Sequence, residues 1–360
     1  MRVAYLVHFR GGRETGIYRK VQDQIAEWSR LGVEVGLFVA TDRAGVSDWS
    51  TIPEAQRVEI MPERPWLSIM ARERLTRALR GWRPEIVYAR HGLAYPGFVL
   101  TARAFPTVLE INGDDLAEFG LGSSWRKPLA QATRSLLLRP SAGLVFVTQE
   151  LARSASFAKF RKPGVVIGNG IDLAGHPPLA APSNDRPTLV FVGHPRSPWH
   201  WLDHVAELAS SFPTWHIDVV GPPRDELAEP PENLEFHGTL SPEALTPLLS
   251  RADAAIGSLA LYRANLHEAS TLKVRDYLAR GIPTILGYRD TDFPDPVPFL
   301  LEIPNSPDGV RRCLTEIEAF VTAVRGARVP RNQIEHLDVA RKEGERIAFL
   351  ATVATQGDPA

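Results

Sequence analysis

The chain alternates short apolar runs with longer stretches in which apolar residues recur every three or four positions. Val3–Val7 is a continuous apolar run, followed by a polar loop over residues 10–15. Ile17, Val21, Ile25, Trp28 and Leu31 then fall on one helical face, and Gly32 stands where a helix C-cap belongs. Val33–Val39, Ile86–Ala89, Thr107–Glu110 and Gly143–Val147 predict further strands. Helices are predicted near Trp66–Trp82, Tyr95–Ala104, Trp125–Leu138 and Gln149–Phe157. Apolar strands separated by amphipathic helices predict a parallel sheet covered on both faces.

The alternation breaks at His176–Pro187, a Pro-rich polar run that reads as a linker. It then restarts with strands at Thr188–Val192, Ile217–Val220, Leu234–Phe236, Ala254–Gly257 and Pro283–Gly287. Val205, Leu208, Ala209 and Phe212 mark a helix, and Leu245–Leu249 and Leu272–Ala279 continue the pattern. The expected organisation is an N-terminal Rossmann-like domain over 1–170, a linker over 171–187 and a second Rossmann-like domain over 188–330. Residues 331–360 would form a C-terminal helix packing back on the first domain, on the strength of Val339, Ile347 and Leu350. The fold class is therefore α/β: two tandem doubly wound parallel-sheet domains with an interdomain cleft. Ligands of such sheets lie beyond the carboxyl ends of the strands, so the loops after Val7, Glu110, Val192 and Gly257 are candidate binding edges.

Composition narrows the class. The 360 residues suit two domains, and 44% apolar with 23% charged residues argues against a disordered chain. The single cysteine, Cys313, excludes an internal disulfide or a four-cysteine zinc site and fits a reducing compartment. The opening apolar run is too short for a secretory leader, and no run reaches the roughly 18–20 apolar residues of a membrane span. The expected location is the cytoplasm. The net charge of −1 hides an asymmetry: residues 1–170 carry 24 basic against 16 acidic side chains, residues 171–360 carry 17 against 26. Two domains facing different partners would produce such a split, as would surface solubility alone.

The strongest constellation runs from Glu268 to Asp276 (EASTLKVRD), two carboxylates separated by seven residues. Thr271 is placed to cap a helix whose first free amides belong to Leu272 and Lys273. A helix N-terminus favours anions through its unpaired N–H groups and dipole. A diphosphate there would have Lys273 beside it, with Asp276 one turn on accepting from ribose hydroxyls and Glu268 reaching sugar hydroxyls. The same residues also read as a capped amphipathic helix with a surface glutamate.

This arrangement resembles the acidic-x7-acidic signature of the retaining, GT-B-fold glycosyltransferase family, with Asp where that family usually has Glu at the second position. Other pieces resemble it in the same order: VIGNGID at 166–172, LVFVG at 189–193, FHG at 236–238 and ADAAIG at 252–257. The resemblance spans roughly residues 2–290. It implies a retaining hexosyltransferase that takes a nucleoside diphosphate sugar as substrate, with no cofactor and no metal. Arg196, Lys273 and helix amides would stabilise the leaving diphosphate, and closure of the two halves would exclude water. Gly16 and Gly193 are carried over as donor-binding positions. The family's lysine after the Gly193 strand is replaced by His200, leaving Lys273 or Arg275 to compensate; His200 also reads as a helix-start residue packed between tryptophans.

The family's histidine on the first domain falls near Asn112, which cannot titrate. Asp114 or Asp115 would be the alternative base, and the same segment reads equally as an Asx-rich turn. The loop His8–Gly16 offers Arg10 and Arg13 to an anionic acceptor. Arg72, Arg74, Arg77, Arg80 and Arg83 decorate one helix, where they suit a lipid-linked acceptor or a solvated face balanced by Glu73 with Arg77. The expected partners are a nucleotide sugar, a saccharide or lipid-linked acceptor and the inner face of a membrane, but not nucleic acid. Asp290-Thr-Asp292 reads as a loop rather than a metal site. The alternative functions are a degenerate GT-B-fold binding or assembly protein and a nucleotide-sugar epimerase.

Overall fold

The computed structural model describes residues 1–13, 15–42, 45–62, 68–116, 126–194 and 202–356. It divides into two compact units, Met1–Gly170 with Val339–Ala360, and Ile171–Asp338. The first holds a seven-stranded sheet, β1 (Arg2–His8), β2 (Glu34–Thr41), β3 (Arg57–Pro62), β4 (Ile86–Arg90), β5 (Thr107–Ile111), β6 (Gly143–Phe146) and β7 (Gly164–Val166). Their order is β3-β2-β1-β4-β5-β6-β7, and every pairing is parallel. The second holds β8 (Thr188–Val192), β9 (His216–Val220), β10 (Leu234–Gly238), β11 (Ala254–Ile256), β13 (Thr284–Leu286) and β15 (Leu300–Glu302) in the order β10-β9-β8-β11-β13-β15, again all parallel. A separate parallel pair joins β12 (Glu268–Ala269) to β14 (Arg289–Asp290). The expectation of two parallel-sheet α/β halves holds.

The sequence explains these elements locally. In β1, Val3 through Val7 are fully buried on both faces, as a strand covered by helices on each side requires. The helix Gly16–Arg30 buries Val21, Ile25 and Trp28, and Thr15 caps it by accepting from the Tyr18 amide at 3.2 Å. Leu31, read as part of that apolar stripe, is instead 43% exposed. The reason is Gly32: at φ +76° it ends the helix, its amide returning to Ser29 and that of Val33 to Trp28. The Pro-rich run after residue 170 is held by the second unit. Ile171 donates to Leu337, Leu179 to Arg280, and Arg331 reaches the His176 carbonyl at 2.6 Å. Among the described residues no helix is long and apolar enough to cross a membrane.

The helix Val339–Gln356 belongs to the first unit, where Leu350 and Val353 join the core formed by Val3, Tyr5, Val21, Trp28 and Tyr88. Charge carries this contact as much as apolar packing does. Glu343, 2% exposed, accepts from Trp28 Nε1 at 2.8 Å and from Gln24. Arg346, fully buried, donates to the Tyr88 hydroxyl and lies 3.4 Å from Glu343 and 3.8 Å from Glu110. Lys20 completes the cluster at 2.7 Å from Glu110. Burial works to raise the Glu110 carboxyl, but Lys20, Arg90 and Arg346 hold it well below the usual range. Burial likewise pushes the Lys20 ammonium down to about 8 against the pull of Glu110.

Removing one member of such a network strands the others. Arg346→Ala is expected to destabilise the first unit by about 3–5 kcal/mol, because two buried carboxylates lose their shared cation. Chemical denaturation of the full chain measures this; a loss below about 1 kcal/mol would show that the network does not hold the terminal helix.

Candidate functional site

In the second sheet the winding direction reverses between β8 and β11, the position at which open α/β sheets bind ligands. The backbone beyond β8 is closely packed. Gly221, after β9, has φ +99°, and a Cβ there would fall 1.8 Å from the Gly193 carbonyl oxygen. Only glycine permits that approach. The helix Leu272–Ala279 closes the same edge and buries Val274, Tyr277 and Leu278. The Val192 amide at the end of β8 donates to the Tyr277 hydroxyl at 2.8 Å, which ties helix to strand.

The predicted residues of this edge have distinct surroundings. Glu268, 7% exposed, opens β12 and accepts from the Thr291 hydroxyl at 2.6 Å. Thr271 occupies the N-cap position, but its hydroxyl does not cap; it pairs with the Tyr288 hydroxyl at 2.8 Å. The first-turn amides of Leu272 and Lys273 therefore receive no capping side chain. Lys273 extends so that its Nζ lies 4.5 Å from the centre of the Phe191 ring, covered from solvent, with no hydrogen-bond partner among the described residues. Burial alone pushes this ammonium down to about 7. Asp276 is one turn further on, accepting from Arg280 at 2.9 Å and lying 3.7 Å from His176. Arg196 and His200 lie outside the described residues.

Two expectations are corrected here, the second in part. Arg275 cannot compensate for a missing lysine. It is fully buried and binds both oxygens of Asp290 at 2.7 and 2.8 Å, Asp292 at 2.6 Å and the Ser270 hydroxyl at 2.8 Å. The loop expected at Asp290-Thr-Asp292 holds for Thr291 and Asp292, which form a turn, but Asp290 belongs to a strand. Asp290 ends β14 and is fully buried, because its carboxylate and that of Asp292 neutralise Arg275. Another convergence of metal-type side chains, His216, Asp218 and Glu235, surrounds a carboxylate to which Arg251 already supplies positive charge.

In the first sheet the reversal falls between β1 and β4. Gly16 begins the helix after β1 and is exposed, and Arg10 is exposed beside it. Arg13 is held by Thr51 at 2.8 Å and Asp48 at 3.4 Å. Both ends of the Asn112 carboxamide face the buried cluster: Nδ2 donates to Glu110 at 3.1 Å and Oδ1 accepts from Lys20 at 3.3 Å. Asp114 accepts from the Leu116 amide at 3.0 Å, the Asx turn that the sequence left open. Asp115 differs from it. Burial raises its carboxyl to about 6 despite Arg134 at 2.9 Å. Glu73, read as balancing Arg77, accepts from the Gly97 amide at 2.7 Å.

Sequence reasoning missed His8, Phe191 and Arg134. His8 ends β1 and bonds the Tyr95 hydroxyl at 2.9 Å; burial, with Arg72 nearby, lowers it to about 3, so it is neutral. Its position at a strand's carboxyl end was the available signal. Phe191 and Arg134 gave none, because each acts through a residue distant in sequence.

Residues 15–170 match the model of the glycosyl transferase 4-like domain. A comparison with curated protein sequences finds no match. Among solved structures, sucrose-phosphate synthase from Thermosynechococcus elongatus superposes with a TM-score of 0.65 at 13% identity, over 99% of this chain and 96% of that one. Anabaena Alr3699/HepE, solved with UDP and glucose, gives 0.64 at 16% identity, over 98% and 100%. The lipopolysaccharide outer core galactosyltransferase WaaB gives 0.64 at 12% identity, over 97% and 99%. Residues 15–170 thus resemble a glycosyl transferase 4-like domain, and the chain as a whole, in two parallel-sheet units, has the GT-B fold of these solved structures.

Proposed function

We propose that the protein transfers a hexose from a nucleoside diphosphate sugar to a hydroxyl acceptor, with retention of configuration. The observation that carries this reading is the Lys273 ammonium. A covered cation with no carboxylate against it among the described residues is expensive to hold, and an anion seated at the first turn of the helix Leu272–Ala279 would satisfy it. The donor diphosphate is that anion, bound by Lys273 and the amides of Leu272 and Lys273 without a metal ion. Arg196 and His200 add charge from the segment after Gly193. Glu268 orients the sugar, and Asp276 turns from Arg280 to the ribose. In the transfer step the bond from the anomeric carbon to the phosphate oxygen breaks as the bond to the acceptor oxygen forms on the same face. The acceptor proton passes to the departing phosphate oxygen, and the nucleoside diphosphate leaves. Charge developing on it is stabilised where Lys273 already waits.

The acceptor is carried on an anionic lipid surface. Support comes from Ile69, Met70, Leu100 and Leu136, exposed on the helices Ser68–Trp82, Pro96–Ala104 and Ser135–Leu138, which pack in succession. Arg74, Arg77, Arg103 and Arg139 are exposed among them. Apolar side chains interleaved with arginine suit an interface of acyl chains and acidic headgroups.

Four experiments test this. Thermal shift and calorimetry with UDP-, GDP- and dTDP-sugars, in the presence of EDTA, should show one nucleotide class binding. Glu268→Gln should keep nucleotide binding and lose transfer; binding by no donor, or exchange of the sugar C2 proton in deuterated buffer without acceptor, would overturn the reading. Lys273→Met should weaken donor binding about 10- to 100-fold, the worth of a charge-assisted hydrogen bond. It should also unfold at a higher temperature than wild type at pH 7. The unfolded lysine keeps its proton to about 10.5 and the folded one only to about 7, so wild type gains stability as pH rises between them and the difference closes near pH 10. A difference independent of pH would sink the assignment. Vesicles containing phosphatidylglycerol should sediment the protein and pure phosphatidylcholine should not, with Arg74→Glu plus Arg77→Glu abolishing the distinction; equal sedimentation by both lipids would contradict the lipid-surface reading.

A further inference from the structure

The segment Asp290–Asp292 has no part in the transfer step described above, yet it is built with unusual investment for three residues. β12 and β14 pair over two residues each, Glu268 opposite Arg289 and Ala269 opposite Asp290. So short a pair has little stability of its own. The ion cluster underneath supplies it. The Arg275 guanidinium, fully buried, binds Asp290 and Asp292 on one strand's continuation and the Ser270 hydroxyl on the other's. The backbone follows: the Arg289 amide donates to His267 at 3.0 Å and the Thr291 amide to Ala269 at 3.2 Å. Thr291 is thereby fixed on both sides by residues locked to one arginine. Its hydroxyl crosses to Glu268 Oε1 at 2.6 Å.

We infer that Thr291 is a positioning residue, which orients the Glu268 carboxylate toward the donor sugar from a base formed by Arg275, Asp290 and Asp292. The inference rests on the proposed role of Glu268. A glutamate carboxylate on its own rotates about three side-chain bonds and must be ordered by the ligand it binds; one held at 2.6 Å by a fixed hydroxyl is already ordered. The hydroxyl does this without neutralising the carboxylate, as a lysine or arginine there would. The two aspartates have a use only in company with Arg275: together they place the threonine.

The test uses UDP and UDP-glucose as probes on the full chain, reading the gain in affinity that the glucose adds to UDP. Thr291→Val keeps the β-branched shape and removes the donor. It should reduce that gain about 10-fold, lower kcat more than it changes KM, and leave the Kd for UDP and the unfolding temperature near wild type. Thr291→Ser should restore the gain to within about twofold, since it returns the hydroxyl. If Glu268→Gln erases the gain while Thr291→Val preserves it, the positioning role is overturned and the role of Glu268 stands. If Thr291→Val weakens UDP itself or lowers the unfolding temperature in proportion, Thr291 is structural and the inference is equally overturned. Should Glu268→Gln leave the gain unchanged, or wild type bind neither these probes nor any GDP- or dTDP-sugar, the reading beneath the inference fails instead.

Discussion

A cation withdrawn from water has to be met by negative charge, and four buried cations of this chain are met in that way. Arg346 lies against Glu343 and Glu110, Lys20 against Glu110, Arg134 against Asp115, and Arg275 against Asp290 and Asp292. Each is a buried pair or triad in which losing one partner would leave the rest uncompensated. Lys273 differs from these four. It has an aromatic face beneath its ammonium and no carboxylate among the described residues. A ring quadrupole offers a cation roughly 0.5–2 kcal/mol, far less than full neutralisation. The functional reading depends on this contrast between matched and unmatched charge.

The helix Leu272–Ala279 shows how few residues are needed to set that contrast. Successive side chains on a helix point about 100° apart, so consecutive positions serve different surroundings. Val274, Tyr277 and Leu278 face the apolar core, Arg275 turns into the ion cluster, Lys273 lies over the end of β8, and Asp276 stays partly buried beside Arg280. Eight residues thereby bury a face, lock a neighbouring strand and present a charge.

What the sequence disclosed follows from what repeats locally. Continuous apolar runs such as Val3–Val7 and Thr188–Val192 announce strands buried on both faces, and the spacing of Val21, Ile25 and Trp28 announces a helix between them. The spacing of Glu268 and Asp276 was visible because both lie within nine consecutive residues, although Glu268 opens β12 where a loop was expected. What stayed hidden was long-range. Nothing near Arg275 indicates that its partners stand fifteen and seventeen positions later, so the sequence offers it as a cation able to compensate for the missing lysine. Nothing near Glu343 indicates Trp28 or Gln24. The Thr271 hydroxyl follows no local capping rule because Tyr288, distant along the chain, offers it a better partner than the helix amides. Asn112 is a candidate because the resembled family's histidine falls near it, and nothing in its sequence neighbourhood indicates that its carboxamide bonds the buried Glu110 and Lys20.

The helix Val339–Gln356 lies in the same unit as Met1–Gly170, although the whole of Ile171–Asp338 is synthesised between them. On the ribosome the order of completion is therefore inverted. The later-made unit has every strand of its sheet in hand once residue 302 has emerged. The earlier-made one waits for Glu343 and Arg346 to reach Trp28, Gln24 and Glu110. Until then Lys20 and Glu110 stand without their third member, and the apolar groove around Trp28 is open to solvent. The nascent chain accordingly passes through a stage in which its first-made half is its last to close.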